Sequence, residues 1–215
     1  MKKQIVYSLL GLVVLFGGLF GVYKLIGSGS VDADTAKKLV ERIPSRTMWN
    51  KNAPHTLTVF SDFECPACKA FDDYLQTFEA TNSPQLPITK KTALVFRYFP
   101  LYQIHQYAYP LAYAAEAAAR QGKFAEITKR FFADQSQFGT MANIKPYLVT
   151  VAKDLSLNAT QFQKDMNDPK IQQVVQDELQ LGESAGVNAT PTFFLDGQKL
   201  ENLAPLDLLN ALKKL

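Results

Sequence analysis

The chain is poor in cysteine, histidine and unbalanced charge, and each shortage closes off a class of function. Two cysteines and two histidines in 215 residues exclude a cysteine-rich metal domain and a disulfide-stapled scaffold. The one set that could hold zinc, Cys65, Cys68, His55 and His105, fits no finger pattern, because His55 precedes the cysteines and His105 lies 37 residues beyond Cys68. No metal and no cofactor are assigned. Three of the 23 basic residues, Lys2, Lys3 and Lys24, flank an apolar N-terminal stretch; the remainder has as many bases as its 20 acids. That remainder carries no basic stripe with interleaved aromatics, which argues against nucleic acid as a partner. Internal repeats are also missing.

What is present begins with that apolar stretch. Residues 5–23 contain no charged side chain and are mostly Leu, Val, Phe and Gly. At a rise of ~1.5 Å per residue, such a run crosses a hydrocarbon core ~30 Å thick, with Lys24 free to snorkel. A cleaved signal peptide usually has an apolar region of ~7–15 residues followed by small residues, whereas this run is longer and continues into Lys24-Leu-Ile26. The expectation is a single-pass anchor at 5–26 in the cell membrane. Residues 1–4 stay in the cytoplasm, and the C-terminal domain faces the periplasmic or extracytoplasmic side.

A flexible Gly-Ser-Gly-Ser segment at 27–30 follows, then a short helix stopped by Pro44, so 27–50 reads as a linker with a short helix. Residues 51–215 are enough for one domain with a full core. Thr56-Leu-Thr-Val-Phe60 reads as a buried strand and leads into Cys65. Phe71, Tyr74, Leu75 and Phe78 give the helix after it an apolar face. A loop is expected at 82–87, then a second strand at 93–99, apolar on both faces as a central parallel strand is. From about 103 to 167 the pattern is helical without a strand. Asp168-Pro169 opens another helix with a cap and a first-position proline. Thr192–Leu195 and Gln198–Leu200 flank an Asp196-Gly197 hairpin turn. Leu206, Leu209 and Leu212 mark a closing helix. The expected class is α/β with a helical insertion.

Cys65-Pro66-Ala67-Cys68 is the feature that carries chemistry. On the first turn of a helix, residues three apart share a face, and their Cα atoms fall within the ~4.4–6.8 Å that a disulfide requires. Pro66 suits the first helical position, where its missing N–H has no partner to lose. Cys65 then faces unpaired amides and the positive end of the helix dipole, which favour its thiolate below the ordinary ~8.5. Cys68, one turn in, is expected to be more buried and more basic. Cys65 is therefore the sulfur that exchanges with a client, and Cys68 closes or resolves the mixed disulfide. A purely structural bridge around so short a loop would remove little chain entropy.

With these residues in hand, the chain resembles the DsbA-like thiol:disulfide oxidoreductases of the thioredoxin superfamily. The resemblance rests on Phe60-Ser-Asp-Phe-Glu-Cys-Pro-Ala-Cys68, on Arg97-Tyr-Phe-Pro-Leu101 with His105, on Gln121-Gly-Lys-Phe124 behind an alanine-rich helix, and on Gly186-Val-Asn-Ala-Thr-Pro-Thr-Phe193. It implies a thioredoxin-like fold with an inserted helical subdomain. It also implies a cis Thr190–Pro191 bond beside Cys65, with Thr190 and Pro191 meeting the substrate strand. Where many members of the family have a buried carboxylate, six residues before the first cysteine, this chain has Val59. Asp62 and Glu64 are the nearer acids; both are expected to point to solvent, as possible modulators of Cys65, and His105 to serve in packing or capping.

The resemblance implies an extracytoplasmic dithiol oxidase that passes its disulfide to exported cysteine-containing proteins and is reoxidised by a membrane quinone-linked partner. The same couple run backwards would be a reductase or isomerase. A non-catalytic carrier of a metal or a client is the alternative from another class.

Overall fold

Strands that alternate apolar side chains on both faces need cover on both faces, and the two predicted strands have it. The computed structural model describes residues 31–81, 88–201 and 203–215; the predicted anchor, the segment 27–30 and the loop 82–87 lie outside them. β2 (His55–Ser61) and β3 (Thr92–Tyr98) are buried along almost their whole length and pair in parallel from His55↔Thr92 to Ser61↔Tyr98. β4 (Thr192–Leu195) runs antiparallel to β2, and β5 (Gln198–Leu200) folds back on β4. Asp196 and Gly197, at φ 50° and 82°, make the two-residue turn between them, in which both central positions need positive φ.

A short edge strand, β1 (Thr47–Trp49), was not expected. It pairs antiparallel with β3 and completes a sheet of order β1-β3-β2-β4-β5. Trp49 sits at φ 61°, a conformation bulky residues rarely adopt, so extended pairing stops after three residues. The segment read as a linker therefore contributes a strand as well as helix α1 (Ala33–Val40), whose Leu39 is fully buried.

One face of the sheet presents Leu57, Val59, Leu94, Phe96 and Phe193 to α2 (Pro66–Thr81) and to the helical insertion. That insertion comprises α4 (Ala108–Arg120), α5 (Phe124–Phe138), α6 (Lys145–Asp154) and α7 (Ala159–Met166), after a single turn, α3 (Ile88–Lys91), that leads into β3. α4 is buried nearly all round, as expected of a helix whose alanines run over every side. α5 continues to Phe138, because Phe131, Phe132 and Phe138 all enter the core.

The opposite face meets α8 (Pro169–Ser184). Asp168 caps that helix through the Lys170 amide at 2.9 Å. Here Phe60 packs edge-on against both Phe99 and Phe194. Gly182 is needed at this contact: a Cβ there would stand 2.6 Å from the Phe99 ring. In the closing helix α9 (Pro205–Lys213), Leu208 and Leu212 are the buried pair, whereas Leu206 is 61% exposed. Pro205 starts the helix, which turns Leu206 outward on the first turn and corrects the expected face.

Four buried charges join the layers. Glu178 of α8 receives Arg46 at 2.5 Å and Arg97 at 2.9 Å, and Arg46 also meets Glu116 of α4 at 2.9 Å. The Arg46 guanidinium lies 4.5 Å over the Tyr98 ring. No helix among the described residues is long and apolar enough to cross a membrane.

Candidate active site

β2 ends at Ser61, and five positions later the chain enters α2 at Pro66. Cys65 is thus the residue before the first helical turn, as its sequence neighbour predicted. Its carbonyl accepts the Lys69 amide at 3.2 Å, which closes that turn. Both cysteines are free thiols and both are buried. Across from Cys65 the chain returns at the start of β4, where the Thr190–Pro191 bond is cis. The Cys65 thiol donates to the Thr190 carbonyl at 3.2 Å, so Thr190 and Pro191 do form the wall facing the cysteine.

The two thiols differ sharply in acidity. A hydrogen bond from the Cys68 side chain is the largest influence on Cys65; with the Thr190 side chain and the amides of Cys68 and Ala67 it outweighs burial and holds the Cys65 thiol down at about 5. Burial, then the neighbouring Cys65, pushes Cys68 well above the ordinary value. The direction matches the expectation from the helix start, but the leading cause is the partner sulfur. This pair can exist as thiolate and thiol at neutral pH, the arrangement a nucleophile and a resolving thiol require.

Asp62 and Glu64 do not point to solvent, contrary to expectation. Asp62 has a fully buried side chain. Its Oδ1 accepts the Glu64 amide at 2.8 Å, and its Oδ2 meets the Leu101 amide at 2.7 Å and His105 Nδ1 at 2.9 Å. Glu64 is half-buried and accepts the Tyr107 amide at 2.5 Å; burial, opposed by that amide, raises its carboxyl above the usual range. The two acids fasten the turn before Cys65 to the loop after β3, where the amides of Leu101 and Tyr107 need acceptors. An Asp that bonds an amide two residues on is a readable turn signal, and it went unread here.

Gln135 was missed altogether. From α5 it donates to the carbonyls of Phe63 at 2.8 Å and Cys65 at 3.0 Å. A lone glutamine 70 positions away leaves no local trace of such a contact. Among the described residues, no cluster of His, Cys, Asp and Glu could hold a metal ion.

Residues 42–214 match the family described as Thioredoxin. By structure, alpha-DsbA1 from Wolbachia pipientis is similar, with a TM-score of 0.67 and 20% identity, over 84% of this chain and 95% of that one. BdbD from Bacillus subtilis aligns at a TM-score of 0.63 and 17% identity, covering 79% of this chain and 94% of its own. These likenesses establish a shared fold. A curated relative, a Na(+)/H(+) antiporter NhaA 1 of Mycolicibacterium gilvum, is 32% identical over 150 residues, 69% of this chain. The chain spans only 22% of that antiporter's length.

Proposed function

We propose that this chain, a member of the thioredoxin family, is a thiol–disulfide oxidoreductase that works through Cys65 and Cys68 as a dithiol oxidase on cysteine-containing proteins outside the cytoplasm. The observation that carries this direction is the acidity of Cys65, held at about 5. A stabilised thiolate favours the reduced protein, which makes the disulfide form the stronger oxidant and Cys65 the better leaving group. Ala67 brings no side-chain donor or cation to that thiolate, so the oxidant is a moderate one. Thr190 and Pro191, opposite Cys65, are the surface against which an extended client segment lies.

In this reading the predicted anchor at 5–26 keeps the domain beside the membrane, where a quinone-linked protein takes up its electrons. Membrane fractionation of the full chain, with a reporter at the C-terminus that is active only outside the cytoplasm, tests that placement. The redox direction rests on one number, the equilibrium potential of the Cys65–Cys68 couple in glutathione buffers. An oxidase requires a value toward ~−120 mV; one near ~−270 mV makes the protein a reductase.

A further inference from the structure

Exchange at Cys65 obliges a proton to move at Cys68. When a client thiolate attacks Cys65 of the disulfide, the client–Cys65 bond forms and the Cys65–Cys68 bond breaks. Cys68 leaves as a thiolate that must be protonated, and it is only 2% exposed. In the opposite direction Cys68 gives up that proton, and its sulfur attacks Cys65 and expels the client thiolate. Val59, six residues before Cys65, offers no carboxylate to serve either step.

A cavity of about 20 Å³ lies against Cys68, walled in part by Val59, Ser61, Asp72, Met48 and Pro191. A water needs ~10–15 Å³ of such space and two to four polar partners. Ser61, Cys68 and Asp72 are the three residues of this otherwise largely apolar wall whose side chains can bond a water. Cys68 and Asp72 are the titratable groups of this wall. They are four positions apart on α2, so the helix sets them on one face. Gln76 Nε2 donates to Asp72 Oδ2 at 2.6 Å, orienting the carboxylate. The Ser61 hydroxyl and the Asp62 amide also bond the Cys68 sulfur. The other charges nearby are engaged elsewhere: Asp62 with Leu101 and His105, Glu64 with Tyr107, and Lys69 with Asp73.

We propose that Asp72 accepts and returns the Cys68 proton, through a water held in this cavity by Ser61. The carboxylate takes the proton when Cys68 attacks and gives it back when Cys68 leaves, so the relay serves both directions of exchange. It rests on the thiol–disulfide chemistry of Cys65 and Cys68.

The test uses the reduced full chain mixed with dithiobis(nitrobenzoate) in a stopped-flow instrument. One coloured thiolate is released as Cys65 attacks the reagent, and a second as Cys68 closes the disulfide. Asp72→Asn should slow the second phase relative to the first by about tenfold or more near neutral pH, with the deficit closing at alkaline pH as hydroxide takes the proton. Asp72→Glu should restore the second phase. Gln76→Ala, which keeps the carboxylate but removes its donor, should move the midpoint of that phase to higher pH. If Asp72→Asn does not fold, the Gln76→Ala midpoint decides alone. A second phase at the wild-type rate and midpoint in the variants that fold overturns the relay. A wild type with no second phase would overturn the exchange chemistry itself.

Discussion

With Cys65 held at about 5 and Cys68 well above its ordinary 9.0, reduction of the disulfide takes up one proton across the neutral range and two below about 5. For a two-electron couple, the potential should fall by about 30 mV per pH unit above that break and about 59 mV below it. A slope of ~59 mV through neutrality would mean that Cys65 is an ordinary thiol. The stability of the reduced fold follows the same group. Its folded pKa is depressed, so between about 5 and 9.0 the unfolded chain binds more protons and stability rises with pH. That contribution is complete above 9.0 and is lost as pH falls through about 5. Cys68, displaced upward, changes its own contribution only above 9.0. Denaturation of the reduced protein against Cys65→Ser, from acidic to neutral pH, should show the wild type gaining. At this scale the cysteine spacing was legible because a helix start is a local event. The inward turn of Asp62 was only half legible: its bond to the Glu64 amide is local, whereas its bonds to Leu101 and His105 are not.

Among the elements, α5 has a part in the site that its own sequence does not announce. Gln135 ties this helix to the two carbonyls around the catalytic turn. Gln135→Ala removes two hydrogen bonds with a net worth of about 1 kcal/mol each and leaves two carbonyls without that donor. The reduced protein should lose about 1–2 kcal/mol in urea unfolding, and client exchange should slow with it. An unchanged midpoint would show that water replaces the amide at no cost. Most elements were readable, because helices and central strands repeat their apolar residues at 3.6 or mark themselves as continuous runs. β1 was not, since three residues ending in a left-handed Trp49 carry no period. The apolar face of α9 was misread for a related reason: Pro205 fixes where the first turn begins, and only the tertiary contact selects Leu208 over Leu206.

For the molecule as a whole, the buried quartet of Arg46, Arg97, Glu116 and Glu178 is the feature least visible in sequence, with one pair 132 positions apart. Glu178→Gln keeps the shape but takes the counter-charge from buried Arg97 and leaves Arg46 with Glu116 alone, which should cost about 3–5 kcal/mol. Equilibrium unfolding would read this directly, and a loss below 1 kcal/mol would mean that water reaches the cluster. Distance along the chain also matters at the active site. The carbonyl that Cys65 bonds belongs to a residue 125 positions further on. Synthesis therefore releases the cysteine pair long before the wall that covers it. For most of its growth the polypeptide carries two unremarkable thiols, and the reactive couple comes into being with the final segments. Chains arrested before Thr190 should be alkylated at Cys65 with the pH profile of a free cysteine.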